Sequence, residues 1–143
     1  MGFYKMPLWT TEYWLVTLSE DQTYLGRVVV VANADRQHMS ELTPEEMLDF
    51  LENVVKPYEA ALKAAFGAEM FNWTCLMNNA YQNDPPNPHV HWHGKPRYRA
   101  PVEFEGQTFV DEHFGHHYAP GTMRRVDDEV ARKIVTAVLA HKP

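Results

Sequence analysis

The chain is poor in several things that mark particular function classes, and each scarcity excludes something. Cys75 is its single cysteine in 143 residues, which rules out an internal disulfide framework and a zinc site built from several thiolates, and fits a reducing compartment. Serine is nearly as scarce. Ser19 and Ser40 are the two present, and neither lies in the Gly-x-Ser-x-Gly turn of a serine hydrolase. The phosphate loops Gly-x-x-x-x-Gly-Lys and Gly-x-Gly-x-x-Gly are both missing. Positive charge is in deficit, with 13 Lys plus Arg against 19 Asp plus Glu and a net charge of −6. Such a chain has no general attraction for nucleic acid. The longest aliphatic stretch, Val28 to Ala32, is far too short to span a bilayer. Met1 to Ser19 shows no basic segment followed by a long apolar run, so the expected location is the cytoplasm, with no membrane partner. Met1-Gly2 could open a myristoylation signal, but Met6 stands where Ser or Thr is required.

What is present describes an ordinary globule: 45% apolar and 22% charged residues, at a length that builds a core without staples. No repeat, linker or low-complexity tract interrupts it, so a single domain over 1–143 is expected. Trp9 to Leu18 and Gln22 to Ala32 are rich in β-branched and aromatic residues and predict a hairpin turning at Ser19-Glu20-Asp21. Thr43-Pro44-Glu45-Glu46 is a capping box with proline at the first helical position. The helix it starts should bury a stripe of Met47, Leu48, Leu51, Val54, Val55, Tyr58, Leu62 and Phe66 and end near Gly67, with a kink at Pro57. Phe71, Trp73, Cys75 and Met77 then alternate with Asn72, Thr74 and Leu76 as in a two-faced strand. A polar loop, Asn78 to Pro88, follows. Pro96 to Arg125 reads as irregular apart from a short strand around Gly106 to Val110. Asp127, Asp128 and Glu129 open a last helix that should bury Val130, Ile134, Val138 and Leu139. These elements together predict an α+β domain with a mainly antiparallel sheet.

The most informative run is His89-Val90-His91-Trp92-His93. On a strand, same-face neighbours are about 6.7 Å apart, so three imidazoles should stand in a row. Such a row can chelate a metal, or present one nucleophilic imidazole between two that orient it and supply protons.

This run resembles the histidine triad (HIT) family of nucleotide hydrolases and transferases, whose motif is His-φ-His-φ-His-φ-φ with φ apolar. The first five positions fit, while Gly94 and Lys95 replace the last two apolar residues. Tyr24-Leu25-Gly26-Arg27 before Val28 to Val31 is similar to the family's second strand. Gln37-His38 ahead of Ser40 to Thr43 matches an upstream histidine. Pro96-Arg97 resembles the branch that cleaves diadenosine polyphosphates. The likeness covers about 15–98, and 99–143 lies beyond it. The family's Gly-Gln-Ser/Thr-Val stretch before the triad is replaced by Asn83-Asp84-Pro85-Pro86-Asn87-Pro88.

The resemblance implies a HIT-like fold of five mainly antiparallel strands with two helices, forming a homodimer whose sheets join. It implies attack by His91 on the α-phosphorus of a nucleotide derivative, an adenine dinucleoside polyphosphate or phosphoramidate, through a nucleotidyl-histidine intermediate. His89 would fix the tautomer of His91, His93 would donate to a phosphate oxygen or to the departing group, and His38 would complete the wall. Asn78, Asn87, Lys95 and Arg97 are the candidate substrate contacts, although Lys95, Arg97 and Arg99 could equally form a solvated basic patch. No cofactor or resident metal is implied, though a divalent cation could accompany a polyphosphate. Two other readings stay open: a metal site combining the triad with His113, His116 and His117 and carboxylates among Glu103, Glu105, Asp111 and Glu112, and a nucleotide-binding module without catalysis. The aromatic segment Phe3, Tyr4, Trp9, Tyr13 and Trp14 could meet a partner or a base, or pack in the core.

Overall fold

The computed structural model describes residues 4–118 and 121–143; Met1, Gly2 and Phe3, on which two expectations touched, lie outside the described residues. Strands β1 (Tyr4–Thr10), β2 (Trp14–Ser19), β3 (Val28–Ala32), β4 (Met70–Thr74) and β5 (His91–Arg97) form one antiparallel sheet in the order β1-β2-β3-β5-β4.

The expected strand Trp9 to Leu18 is in fact parts of two strands. Between β1 and β2 the chain turns around Thr11, whose hydroxyl accepts from the Trp14 N–H at 3.0 Å and donates to the Asp49 carboxylate at 2.6 Å. Asp49 also accepts from the Tyr13 N–H at 3.0 Å, so the turn is fixed by a residue 36 or more positions away that no local pattern reveals. The second expected strand likewise starts only at Val28. Before it, the Gln22 side chain donates to the Ser19 and Arg27 carbonyls and accepts from the Gly26 N–H at 2.8 Å, winding Gln22 to Arg27 into a loop. Gly26 has φ of 89°, and a Cβ there would stand 2.4 Å from Leu62 Cδ1. Only glycine meets both demands.

The long helix opens as the capping box predicts. Thr43 Oγ1 accepts from the Glu46 N–H at 3.1 Å, and the Glu46 carboxylate accepts from the Thr43 N–H at 2.9 Å. It runs as α1 (Pro44–Phe50), one wide π-helical turn at Leu51–Val55, and α2 (Lys56–Phe66), ending at Gly67 with φ of 77°. Pro57 offers no N–H to the carbonyl four residues back, and that carbonyl, Asn53 O, accepts from Trp9 Nε1 at 3.1 Å instead. The π turn also corrects the expected stripe. It holds one extra residue, so the buried face before it moves back one position: Glu46 and Phe50 are buried, while Met47, Leu48 and Leu51 are exposed. From the turn onward, Val54, Tyr58, Leu62 and Phe66 face the sheet as expected, joined by Ala61, which was not in the expected stripe, while Val55 is only half-buried.

These helical residues meet Trp14, Val16, Leu18, Val28 and Val30 from the inner face of the sheet. Trp14 Nε1 donates to Glu46 O at 2.8 Å, and Phe50 stacks on Trp92 with ring centroids 4.9 Å apart. After β5 comes a hairpin, β6 (Val102–Phe104) and β7 (Gln107–Phe109), turning on Glu105 and Gly106 at positive φ; only one of its strands was expected. The last helix, α3 (Asp128–His141), is capped by Asp127, which accepts from the Val130 N–H at 2.9 Å. It buries Val130, Ala131, Ile134 and Val138, while Leu139 is exposed, contrary to expectation. Among the described residues no helix is long and apolar enough to cross a membrane.

Candidate active site

β5 carries the alternation of the sequence into space. Trp92 and Gly94 belong to the inner face, where Trp92 stacks on Phe50 and a Cβ on Gly94 would lie 2.8 Å from Trp73 Cζ3 and 2.9 Å from Val28 Cγ2. His91, His93, Lys95 and Arg97 therefore share the opposite face. Gly94, one of the two departures from the triad motif, is accounted for by the indole of Trp73, which occupies the space its side chain would need. His89 precedes the strand in extended chain.

The three imidazoles are differentiated by their partners. His89 Nε2 donates to Ala32 O at 2.8 Å, tying the start of the run to the end of β3. His91 Nδ1 lies 2.8 Å from His89 O. A carbonyl can only accept, so this nitrogen carries the proton and the lone pair of the neutral ring sits on Nε2. His93 is the reverse. Arg27 Nη2 donates to its Nδ1 at 3.2 Å, which puts the proton on Nε2. Burial, then the charges of Arg27, His91 and Lys95, hold the His93 pKa down to about 3, so at neutral pH the ring is an uncharged hydrogen-bond donor. The His91 and His93 ring centroids are 5.1 Å apart at 73°.

His89, His91 and His93 line one wall of an open cavity of about 510 Å³. The turn Asn78–Gln82 and its neighbours supply the rest: Leu76, Met77 and Ala80 as apolar wall, and Asn78, Asn79, Asn83 and Asn87 as polar rim. β4 ends at Thr74 rather than at Met77, and the chain beyond it is what turns to form this wall. The structure thus brings together five of the expected residues: the three triad histidines, Asn78 and Asn87.

Three others stand elsewhere. His38 is exposed at the start of the short turn Met39–Glu41, its N–H donating to Glu41 Oε1 at 3.2 Å, and does not line the cavity. The polar side chain that does reach the triad is Arg27, 66 positions from His93, whose Nη2 lies 3.2 Å from His93 Nδ1; no spacing rule singled it out. Arg97 is 1% exposed, and its side-chain N–H groups are committed internally. Nε and Nη2 donate to the Asp111 carboxylate at 2.6 and 3.0 Å, Nη1 to Asn72 Oδ1 and His116 O, and Nη2 to His113 O. No donor is left for a phosphate, so Arg97 fastens 111–116 to the sheet. Lys95 is buried, its ammonium 3.4 Å from the ring centroid of Tyr118, and outside the cavity lining. Arg99 is exposed and pairs with Glu69 at 3.1 Å. Among the described residues no three His, Cys, Asp or Glu side chains are grouped to hold a metal ion, so the triad and His113, His116 and His117 do not form the centre considered from sequence.

The sequence matches no protein-family model and no curated protein. Among solved structures, it is similar to a histidine triad protein of Sinorhizobium meliloti, at 20% identity and TM-score 0.72 over 95% of this chain and 88% of that one. A hypothetical histidine triad nucleotide-binding protein of Sulfolobus tokodaii gives 15% identity and TM-score 0.70 over 99% and 84%. A histidine triad protein of Marinobacter aquaeolei gives 18% and 0.69 over 99% and 97%. The chain has the HIT-like fold: a five-stranded antiparallel sheet with two helices, the first of them the continuous 44–66 rod.

Proposed function

We propose that this protein is a nucleotide hydrolase or nucleotidyl transferase that works through a covalent bond to His91. The observation that carries the reading is the opposed tautomers of His91 and His93: a basic nitrogen on one ring beside an N–H donor on the next, facing the same cavity. A nucleotide derivative would lay its nucleoside against Leu76, Met77 and Ala80, with Asn78 and Asn87 as polar contacts, and bring its α-phosphorus to His91. Nε2 of His91 donates its lone pair to phosphorus. The bond from phosphorus to the leaving group breaks, and that group departs with the electron pair. His93 donates its Nε2–H to an oxygen of the transferring group as charge develops there. As His91 turns cationic, its Nδ1–H bond to His89 O strengthens, because the acceptor was already in place. Water then attacks phosphorus and releases a proton to solvent, the P–N bond breaks with its electron pair returning to Nε2, and His91 regains its neutral form.

Adenine dinucleoside polyphosphates and adenosine phosphoramidates are the substrates we expect. A divalent cation, where one takes part, would travel with the substrate's phosphates. Purified protein should release AMP from diadenosine tetraphosphate or from an adenosine phosphoramidate, with and without a chelator, and His91→Ala should lose at least a thousandfold in kcat. Intact-mass measurement after rapid acid-free quenching should show a nucleotidyl adduct on the wild type and none on the variant. Turnover by His91→Ala at the wild-type rate would overturn the reading.

A further inference from the structure

Lys95 shares the histidine face with Arg97, and the mechanism uses neither; Arg97 is spent on Asp111, whereas Lys95 has no such task. It lies two residues beyond His93 on β5 and is 7% exposed. Its ammonium sits over the Tyr118 ring, and among the described residues it has no carboxylate or carbonyl partner. Its neighbours do not cancel its charge. Arg27 is paired with Asp21 at 2.9 Å and Arg97 with Asp111 at 2.6 Å. Two buried cations, Lys95 and Arg97, and the half-buried Arg27 therefore face two carboxylates, an excess of one positive charge in a chain whose net charge is −6.

Two further polar atoms on this face are buried without a hydrogen-bond partner: Arg27 Nε and Thr74 Oγ1. Thr74 is the direct cross-strand neighbour of His93. Unmet donors and an uncompensated ammonium are each unfavourable in a buried place. An apolar side chain of similar length would pack under Tyr118 without that penalty. An anion set beside His93 would answer all three groups at once.

What covers the place is loosely held. Asp111, His113 O and His116 O are bonded to Arg97, but the Tyr118 ring rests on Lys95 and on ring contacts with Tyr24, centroids 6.2 Å apart, and with its own chain neighbour His117, centroids 4.7 Å apart. Swinging the ring away breaks no strong hydrogen bond among those described. We propose that Lys95, with Arg27 and Thr74, forms an anion subsite next to His93 that holds the distal phosphates of a polyphosphate leaving group, with Tyr118 as its displaceable cover. The anion chemistry stands on the buried groups; its identity as a leaving group rests on the function proposed above.

Calorimetric titration with inorganic triphosphate tests the subsite without any turnover. Wild type and His91→Ala should both bind it. Lys95→Met should bind at least tenfold more weakly, and Tyr118→Ala as tightly as wild type or more so. Equal binding by Lys95→Met and wild type, or no binding by either wild type or Tyr118→Ala, overturns the proposal. With substrates, Lys95→Met should raise the KM for diadenosine tetraphosphate relative to that for adenosine phosphoramidate by tenfold or more, and an unchanged ratio counts against a polyphosphate leaving group. If the wild type turns over neither compound, the catalytic reading fails, while the triphosphate titration still decides the subsite.

Discussion

Replacing Arg27 with Met should move the titration of His93 upward by about 1 to 1.5 units, and the size of that shift tests the site's electrostatics. His93 falls from its ordinary 6.5 to about 3, with burial the largest cause and Arg27 the next. Since burial outweighs it, Arg27 accounts for less than half of the fall, under about 1.7 units. A bare charge at about 4 Å and an effective dielectric of about 20 would give about 4 kcal/mol, or about 3 units. The Asp21 carboxylate, 2.9 Å from the same guanidinium, cancels much of that, which brings the two figures into line. Methionine keeps most of the stem volume, so burial should change little. The assay is a pH series of ¹⁵N-edited NMR spectra of the imidazoles. In the wild type, His91 should be the Nδ1–H tautomer and His93 the Nε2–H tautomer, the latter holding its proton count down to about pH 3. In Arg27→Met the His93 midpoint should rise to between about 4 and 4.5 and its tautomer should become mixed. A wild-type His93 that titrates near 6.5, or identical tautomers on both rings, would refute the reasoning and with it the division of labour proposed for catalysis.

Four further outcomes are expected. Stability should depend on pH through the same residue: the folded His93 refuses a proton that the unfolded chain accepts below about 6.5, so stability is complete above that pH and declines toward pH 3. The loss is at most about 5 kcal/mol, measured by urea unfolding across the range. Gly94→Ala should cost about 1 to 3 kcal/mol in the same assay, because its Cβ must push against Trp73 and Val28, and a neutral effect would mean that the indole yields freely. Asp111→Asn should destabilise by about 3 to 5 kcal/mol by leaving the Arg97 guanidinium buried without its counter-charge, with Arg97→Met in the same chain recovering much of it; no recovery would contradict the pairing. Light scattering should give about twice the 16.6 kDa chain mass, since β4 is a sheet edge of half-buried residues suited to pairing with a second copy, and a monomer at micromolar concentration would remove that expectation.

Local rules carried the reading of the sequence wherever the determinant was local. The period of two placed His91, His93 and their successors on one face, and Thr43 with Glu46 fixed a helix start through bonds spanning three residues. Where the determinant came from afar, the sequence was silent. Asp49 sets a turn at Thr11, Asn53 O accepts a hydrogen bond from Trp9 where Pro57 has none to give, and Arg27 reaches His93 across 66 positions. The apolar stripe was misplaced for a related reason. Periodicity assumes 3.6 residues per turn, and a single wide turn before Pro57 was enough to expose Met47, Leu48 and Leu51 and bury Phe50.

The two departures from the triad motif show how far the residues around a site can diverge while its imidazole arrangement stays in place. Gly94 and Lys95 are adjacent in sequence but belong to opposite faces, so each answers to a different environment. On the inner side, the Trp73 indole, held by a 3.0 Å bond to Glu59, fills the volume that an apolar residue at 94 would otherwise supply. On the outer side, a lysine is tolerated at 95 because Tyr118 offers it a π face. Neither change touches the bonds that set the His91 and His93 tautomers, which run through His89 O and Arg27. The motif can therefore lose its last two apolar positions and keep its proton arrangement, because that arrangement depends on a backbone carbonyl and a distant arginine and not on the residues that follow the triad.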